Sequence, residues 1–96
     1  MQAIRAYPIT GRVGSTRELT LPGGARLLSV GIRQGQLVAY ALVDTAEAGP
    51  LGYQRRRVLT LGTGQPAPHD MDAWHFLGTA QTDDANDAAQ VHVFYR

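Results

Sequence analysis

This sequence predicts an all-β fold: a small antiparallel sandwich or partly closed barrel of about seven strands, with residues 1–96 forming a single domain. Three observations lead there. Eleven glycines and five prolines recur at short intervals and cut the chain into apolar pieces of roughly five to eight residues, the usual length of a strand. Within those pieces the apolar residues recur with period two, not 3.6. No helical stretch of about ten residues is available to carry a parallel crossover, so neighbouring strands run antiparallel and close into a sandwich or barrel.

Taken in order, Gln2 to Tyr7 sets Ala3, Arg5 and Tyr7 against Gln2, Ile4 and Ala6 and stops at Pro8, as an edge or near-edge strand does. Gly11 and Gly14 loosen the next loop. Arg17 to Leu21 alternates Leu19 and Leu21 with Glu18 and Thr20, and Pro22, Gly23 and Gly24 then force a turn. Arg26 to Val43 reads as a hairpin. Its first arm places Leu28, Val30 and Ile32 on one face and Leu27, Ser29 and Gly31 on the other, and Gln34-Gly35 supplies a two-residue turn in which glycine takes positive φ. In the second arm Val38, Tyr40 and Leu42 alternate with Leu37, Ala39, Ala41 and Val43, which predicts a central strand covered on both sides. The expected core is Leu28, Val30, Ile32, Val38, Tyr40 and Leu42. Asp44 to Pro50 is a loop with room for one helical turn. Gln54 to Leu61 resumes a strand, with Leu59 and Leu61 inward, and Gly62 to Pro66 ends it. After a polar loop through Met71 come a strand from Trp74 to Gln81, an acidic solvated loop from Asp83 to Ala89, and a last strand from Gln90 to Arg96. In that last strand Val91, Val93 and Tyr95 face opposite to His92 and Phe94.

Composition narrows the function classes. At this length folding buries only roughly 60 to 65% of the unfolded chain's surface, so there is one core. Hydrophobic residues make up 44% and charged residues 18%, which fits a folded globular domain and not a disordered segment. The absence of cysteine excludes disulfides, thiolate metal sites and a cysteine nucleophile, and suits a reducing cytoplasm. A net charge of +1 lacks the cation excess of a general nucleic-acid binder. All nine cations are arginine, which fits both fork recognition of carboxylates, phosphates and flat rings and a GC-rich coding sequence. No 18-residue apolar run and no signal-like N-terminal segment is present, so a cytoplasmic protein off the membrane is expected.

Catalytic chemistry is not apparent. Ser15 and Ser29 are the only serines and neither stands in a Gly-x-Ser-x-Gly elbow. His69, Asp70, Asp72 and His75 offer nitrogen and oxygen donors without the spacing of a known metal signature, so neither metal nor cofactor is expected. His92, between two valines, reads as a hydrogen-bonded core or interface residue. Gly62-Thr63-Gly64 follows a strand as a phosphate loop would, but lacks the lysine and the following helix and reads as a tight turn. Tyr53 with Arg55, Arg56 and Arg57 is the densest cationic and aromatic group. Strand alternation puts Arg55 and Arg57 on one face and Arg56 on the other. That pair beside Tyr53 suits a carboxylate, a phosphate or a flat base; the plainer reading is a solvated edge whose charge discourages aggregation.

Several short fragments resemble a family of small, uncharacterised proteins from phages, prophages and their bacterial hosts. They are Tyr7-Pro8, Leu21-Pro22 with Gly24-Ala25, Leu28 and Val30, Ala41-Leu42-Val43-Asp44, Gly62-Thr63-Gly64 with Pro66, Gly78-Thr79, and Val91-His92-Val93-Phe94. The chain departs from the family at Gln65, where His is common, and in a longer stretch from Thr82 to Ala89. The resemblance implies a phage or mobile-element context and assigns no catalytic residue or cofactor.

In that context a nonenzymatic binder is expected, such as a counter-defence (anti-CRISPR-like) inhibitor of a host immune complex or a protein that sequesters a small nucleotide signal. Its partner is a host or phage protein, or the nucleotide, and its surface is Tyr53, Arg55, Arg57, Thr63 and His69. The alternative is a small oligomeric phage structural or assembly protein. Aromatic residues gathered at Trp74, Phe76, Phe94 and Tyr95, more than one small interior absorbs, predict a homo-oligomer.

Overall fold

A computed structural model describes residues 1–44, 52–81 and 90–96. Among the described residues, seven strands and one short 3₁₀ turn make up the regular structure: β1 (Gln2–Pro8), β2 (Thr16–Pro22), β3 (Arg26–Arg33), β4 (Gln36–Asp44), β5 (Tyr53–Gly62), the turn Met71–Ala73, β6 (His75–Gln81) and β7 (Gln90–Tyr95). They form two antiparallel sheets, ordered β1-β4-β3 and β2-β5-β7-β6. The sheets pack face to face without closing into a barrel, which decides the expected architecture in favour of the sandwich. Asp44 ends β4; the rest of the expected loop to Pro50, and the acidic loop from Asp83 to Ala89, lie outside the described residues.

The β3–β4 hairpin turns where the sequence places it. Gln34 and Gly35 have φ of 52° and 75°, the two positive values that a type I′ turn requires, and Arg33 pairs with Gln36 across it. As expected, β1 is an edge strand and β4 the centre of its sheet.

The core forms between Ala39, Ala41 and Val43 of β4 and, from the other sheet, Leu19, Leu21, Val58, Val91 and Val93, all buried. Small alanines at the middle of β4 allow valines opposite to approach closely.

This corrects the expected core in two ways. Leu28 is 37% exposed, because the β3 register shifts between Leu27 and Ser29 and Leu28 becomes the extra residue of a bulge. Leu27, Val30 and Ile32 therefore share the inner face, opposite Ala41, Ala39 and Leu37. Residues paired across antiparallel strands lie on one face, so Val38, Tyr40 and Leu42 point outward. Val38 is buried there, but Tyr40 and Leu42 are only half-covered, short of the two-sided burial expected of β4. Tyr40 lies across Gly31, where a Cβ would come within 2.8 Å of its ring.

Leu59 and Leu61 are buried as expected, yet on the outer face of their sheet. The fully buried inward residues of β5 are Val58 and Thr60, 0% and 1% exposed.

Candidate functional site

Most of the polar chemistry gathers on the outer face of the β2-β5-β7-β6 sheet. Alternation along β5 sets Arg55 and Arg57 on this face, across from Thr20 and Glu18 of β2, and turns Arg56 inward opposite Leu19. Arg56 is half-buried and its Nε donates to Gln54 Oε1 at 3.0 Å. Arg55 and Arg57 are exposed, and among the described residues no carboxylate forms an ion pair with either.

The chain leaving β5 reverses at Gly62–Gln65. The Gln65 N–H donates to the Gly62 carbonyl at 3.1 Å, and the Gly62 N–H donates to Gln65 Oε1 at 2.7 Å. The turn expected of Gly62-Thr63-Gly64 is thus present. Residues 66–74 then run back across the outer face and roof Leu59 and Leu61, which is why these leucines are buried on the side away from the other sheet. One set of contacts fastens the roof. Asp70 accepts from Arg96 Nη1 at 2.8 Å and from Trp74 Nε1 at 3.4 Å, and the Arg96 guanidinium stands 5.3 Å from the Trp74 ring centroid. Arg96 is itself tied to β5 by two main-chain bonds with Arg57, at 3.0 and 3.1 Å.

Between roof and sheet lies an open cleft of about 340 Å³. Leu59 and Leu61 line it from the sheet, Pro66, Pro68 and Trp74 from the roof, and Arg57 and Asp70 supply its charges. An apolar floor with a few convergent polar groups is the usual composition of a ligand site.

On the same face His92 is held at both ring nitrogens, by Thr63 Oγ1 at Nε2 (2.9 Å) and by Thr79 Oγ1 at Nδ1 (2.8 Å). Each threonine hydroxyl can donate to or accept from the ring nitrogen it meets, so the pair holds the imidazole in either tautomer. The hydrogen-bonded role expected of His92 is the one it has. Beside it Phe76 and Phe94 form a tilted pair with centroids 5.4 Å apart, Phe76 being 60% exposed.

The five residues expected to share a surface do not converge. Arg57 alone lines the cleft. Thr63 sits in the turn with its hydroxyl engaged by His92. Tyr53, 74% exposed, and Arg55 extend the row along β5 beyond the cleft; at about 3.3 Å per residue Tyr53 lies roughly 13 Å from Arg57. His69 is exposed on the roof and does not line the cleft. The residues that sequence reasoning missed are Trp74, Asp70 and Arg96. A signal existed for one, the sole tryptophan placed after a loop bracketed by prolines. Asp70 was weighed only as a metal ligand. Among the described residues no three acidic or histidine side chains come together. Asp70 instead serves Arg96 and Trp74, and His75 packs against Tyr95 at 5.4 Å.

No curated protein and no solved structure matches this chain. Across residues 1–96 it matches the family described as Domain of unknown function (DUF7352).

Proposed function

Because the chain belongs to this family of unknown function over residues 1–96, we propose its role from the site itself: a nonenzymatic binding protein that takes an acidic segment of a partner protein on the outer face of β5. One observation carries the reading. Arg55 and Arg57 are presented side by side without ion-pair partners among the described residues, next to a cleft with an apolar floor. Arginine forks hold carboxylates with defined geometry, and apolar contact beside them supplies the area that charge alone does not. The resemblance to phage and prophage proteins supports a host protein as the partner, counter-defence as the role and the bacterial cytoplasm as the compartment. No described helix is long and apolar enough to cross a membrane.

Trp74 is the only tryptophan and lines the cleft, so its fluorescence reports occupancy directly. Titration with a glutamate-rich peptide should give a saturable change. Arg57→Ala should weaken binding by about 1 to 3 kcal/mol while leaving the melting temperature nearly unchanged. If Arg55→Ala and Arg57→Ala both bind like the parent, the reading fails; if a nucleoside monophosphate saturates the signal and the peptide does not, nucleotide sequestration replaces it.

A second observation supports the assembly reading. The outer face of the β1-β4-β3 sheet shows Ile4 62% exposed and Leu28 37% exposed, beside half-covered Tyr40 and Leu42. An apolar face of this kind suits a second copy of the chain.

A further inference from the structure

A second cavity, of about 190 Å³, opens between the two sheets at the end of the sandwich that carries Gly11 and Gly35. Ile9, Ile32, Leu37 and Val91 give it apolar walls, and Arg17 with Thr60 forms its polar end. Alternation explains the arginine. Arg17 pairs with Val58 and shares the inward face of β2 with Leu19 and Leu21, so its guanidinium enters an otherwise apolar interior.

The donors of that guanidinium are unequally used. Nη2 donates to the Arg12 carbonyl at 2.7 Å, to the Ser15 hydroxyl and to Thr60 Oγ1 at 3.3 Å. Among the described residues Nε is buried with no acceptor, Nη1 has no hydrogen bond and no carboxylate pairs with Arg17. Burial lowers the Arg17 pKa below the ordinary arginine value, from a starting point so high that the group stays charged at neutral pH. Space beside Nη1 depends on Gly11, which has φ of 98° and where a Cβ would stand 2.9 Å from that nitrogen. A half-buried cation with one buried unmet donor, no carboxylate partner among the described residues and an adjoining apolar cavity is an incomplete arrangement, and its complement is an anion with an apolar body.

We infer that this cavity binds a small organic carboxylate, its anionic end at Arg17 Nη1 and its body among Ile9, Ile32, Leu37 and Val91. The cavity falls below the roughly 300 to 1,000 Å³ of sites that hold drug-sized ligands, which excludes a whole nucleotide and admits a short-chain or single-ring acid. It lies on the opposite face of the four-stranded sheet from the Arg57 cleft, so either site stands without the other.

The test is an amide-resonance titration of the full chain with hexanoate, with hexanol and inorganic phosphate as controls. Hexanoate should shift Gly11, Gly35 and Thr60 saturably, and hexanol should bind at least about tenfold more weakly, since the charge contact contributes at least that factor. Arg17→Gln should weaken hexanoate binding about tenfold or more. Should that variant not fold, Ile32→Phe, which fills the cavity and leaves the guanidinium in place, must abolish the hexanoate shifts. The proposal is overturned by any of three results: no saturable shift up to about 50 mM hexanoate, equal binding of hexanol, or phosphate binding as tightly as hexanoate. Persistence of the hexanoate shifts in Ile32→Phe overturns it as well.

Discussion

Val93 and Leu28 are both apolar strand residues, yet one is 0% exposed and the other 37%. Val93→Ala should therefore cost about 1 to 3 kcal/mol, and Leu28→Ala no more than about 0.5 kcal/mol, read as shifts of the urea midpoint at unchanged slope. Comparable losses at both positions would contradict the bulge at Leu28. The sequence set Val93 on a face with Val91 and Tyr95, opposite His92 and Phe94, but did not count it in the expected core. Leu27-Leu28 offered two equivalent leucines, and a bulge adds one residue that alternation alone does not reveal. The same limit applied to β4, where an apolar residue stands at each position from Leu37 to Val43 and only the pairing of Val30 with Ala39 decides which face is inner. At the candidate site, the split of Arg55 and Arg57 from Arg56 was legible because it depends on alternation alone. Which of them lines a cleft was not, since the cleft is made by a different segment.

That segment, the roof over β5, rests on contacts remote in sequence. Asp70 and Arg96 are 26 residues apart, and no local pattern joins them. Their ion pair is partly exposed, at 56% and 36% for the two side chains, so Asp70→Asn should cost less than about 1 kcal/mol. The informative readout is Trp74. Losing the charge on its neighbour loosens the roof and should move the tryptophan emission to the red; an unchanged spectrum would mean that the prolines and the buried leucines hold the roof unaided. The β3–β4 hairpin shows the reverse case, an element set by its own two turn residues. Gly35→Ala introduces a side chain at φ of 75° and should lower stability by about 1 kcal/mol, measured by thermal unfolding. Turn chemistry is local, which is why this element was legible while the roof was not.

For the whole molecule, period two and frequent turns were enough to indicate an antiparallel sandwich or partly closed barrel, because both are properties of single strands and their connections. Partner choice was not available at that level. β1 joins β4 with Gln2 opposite Asp44, and β2 joins β5 with Thr16 opposite Leu59. A small core, with Ile4 and Phe76 62% and 60% exposed on its surfaces, leads to the expectation of self-association. Sedimentation should show dimers or larger species in the micromolar range, reduced by Ile4→Glu; a monomer at all such concentrations would refute it. The order β2-β5-β7-β6 also bears on how the chain is made. β7 follows β6 in sequence yet lies between it and β5, so β6 has no strand to join until β7 has left the ribosome. During synthesis β4 can pair with β1 and β3, and β5 with β2, as each emerges, while the far edge of β5 and both edges of β6 stay open until β7 is made. That interval, more than any weakness of the finished sandwich, is when a nascent chain of this protein is most exposed to pairing with another.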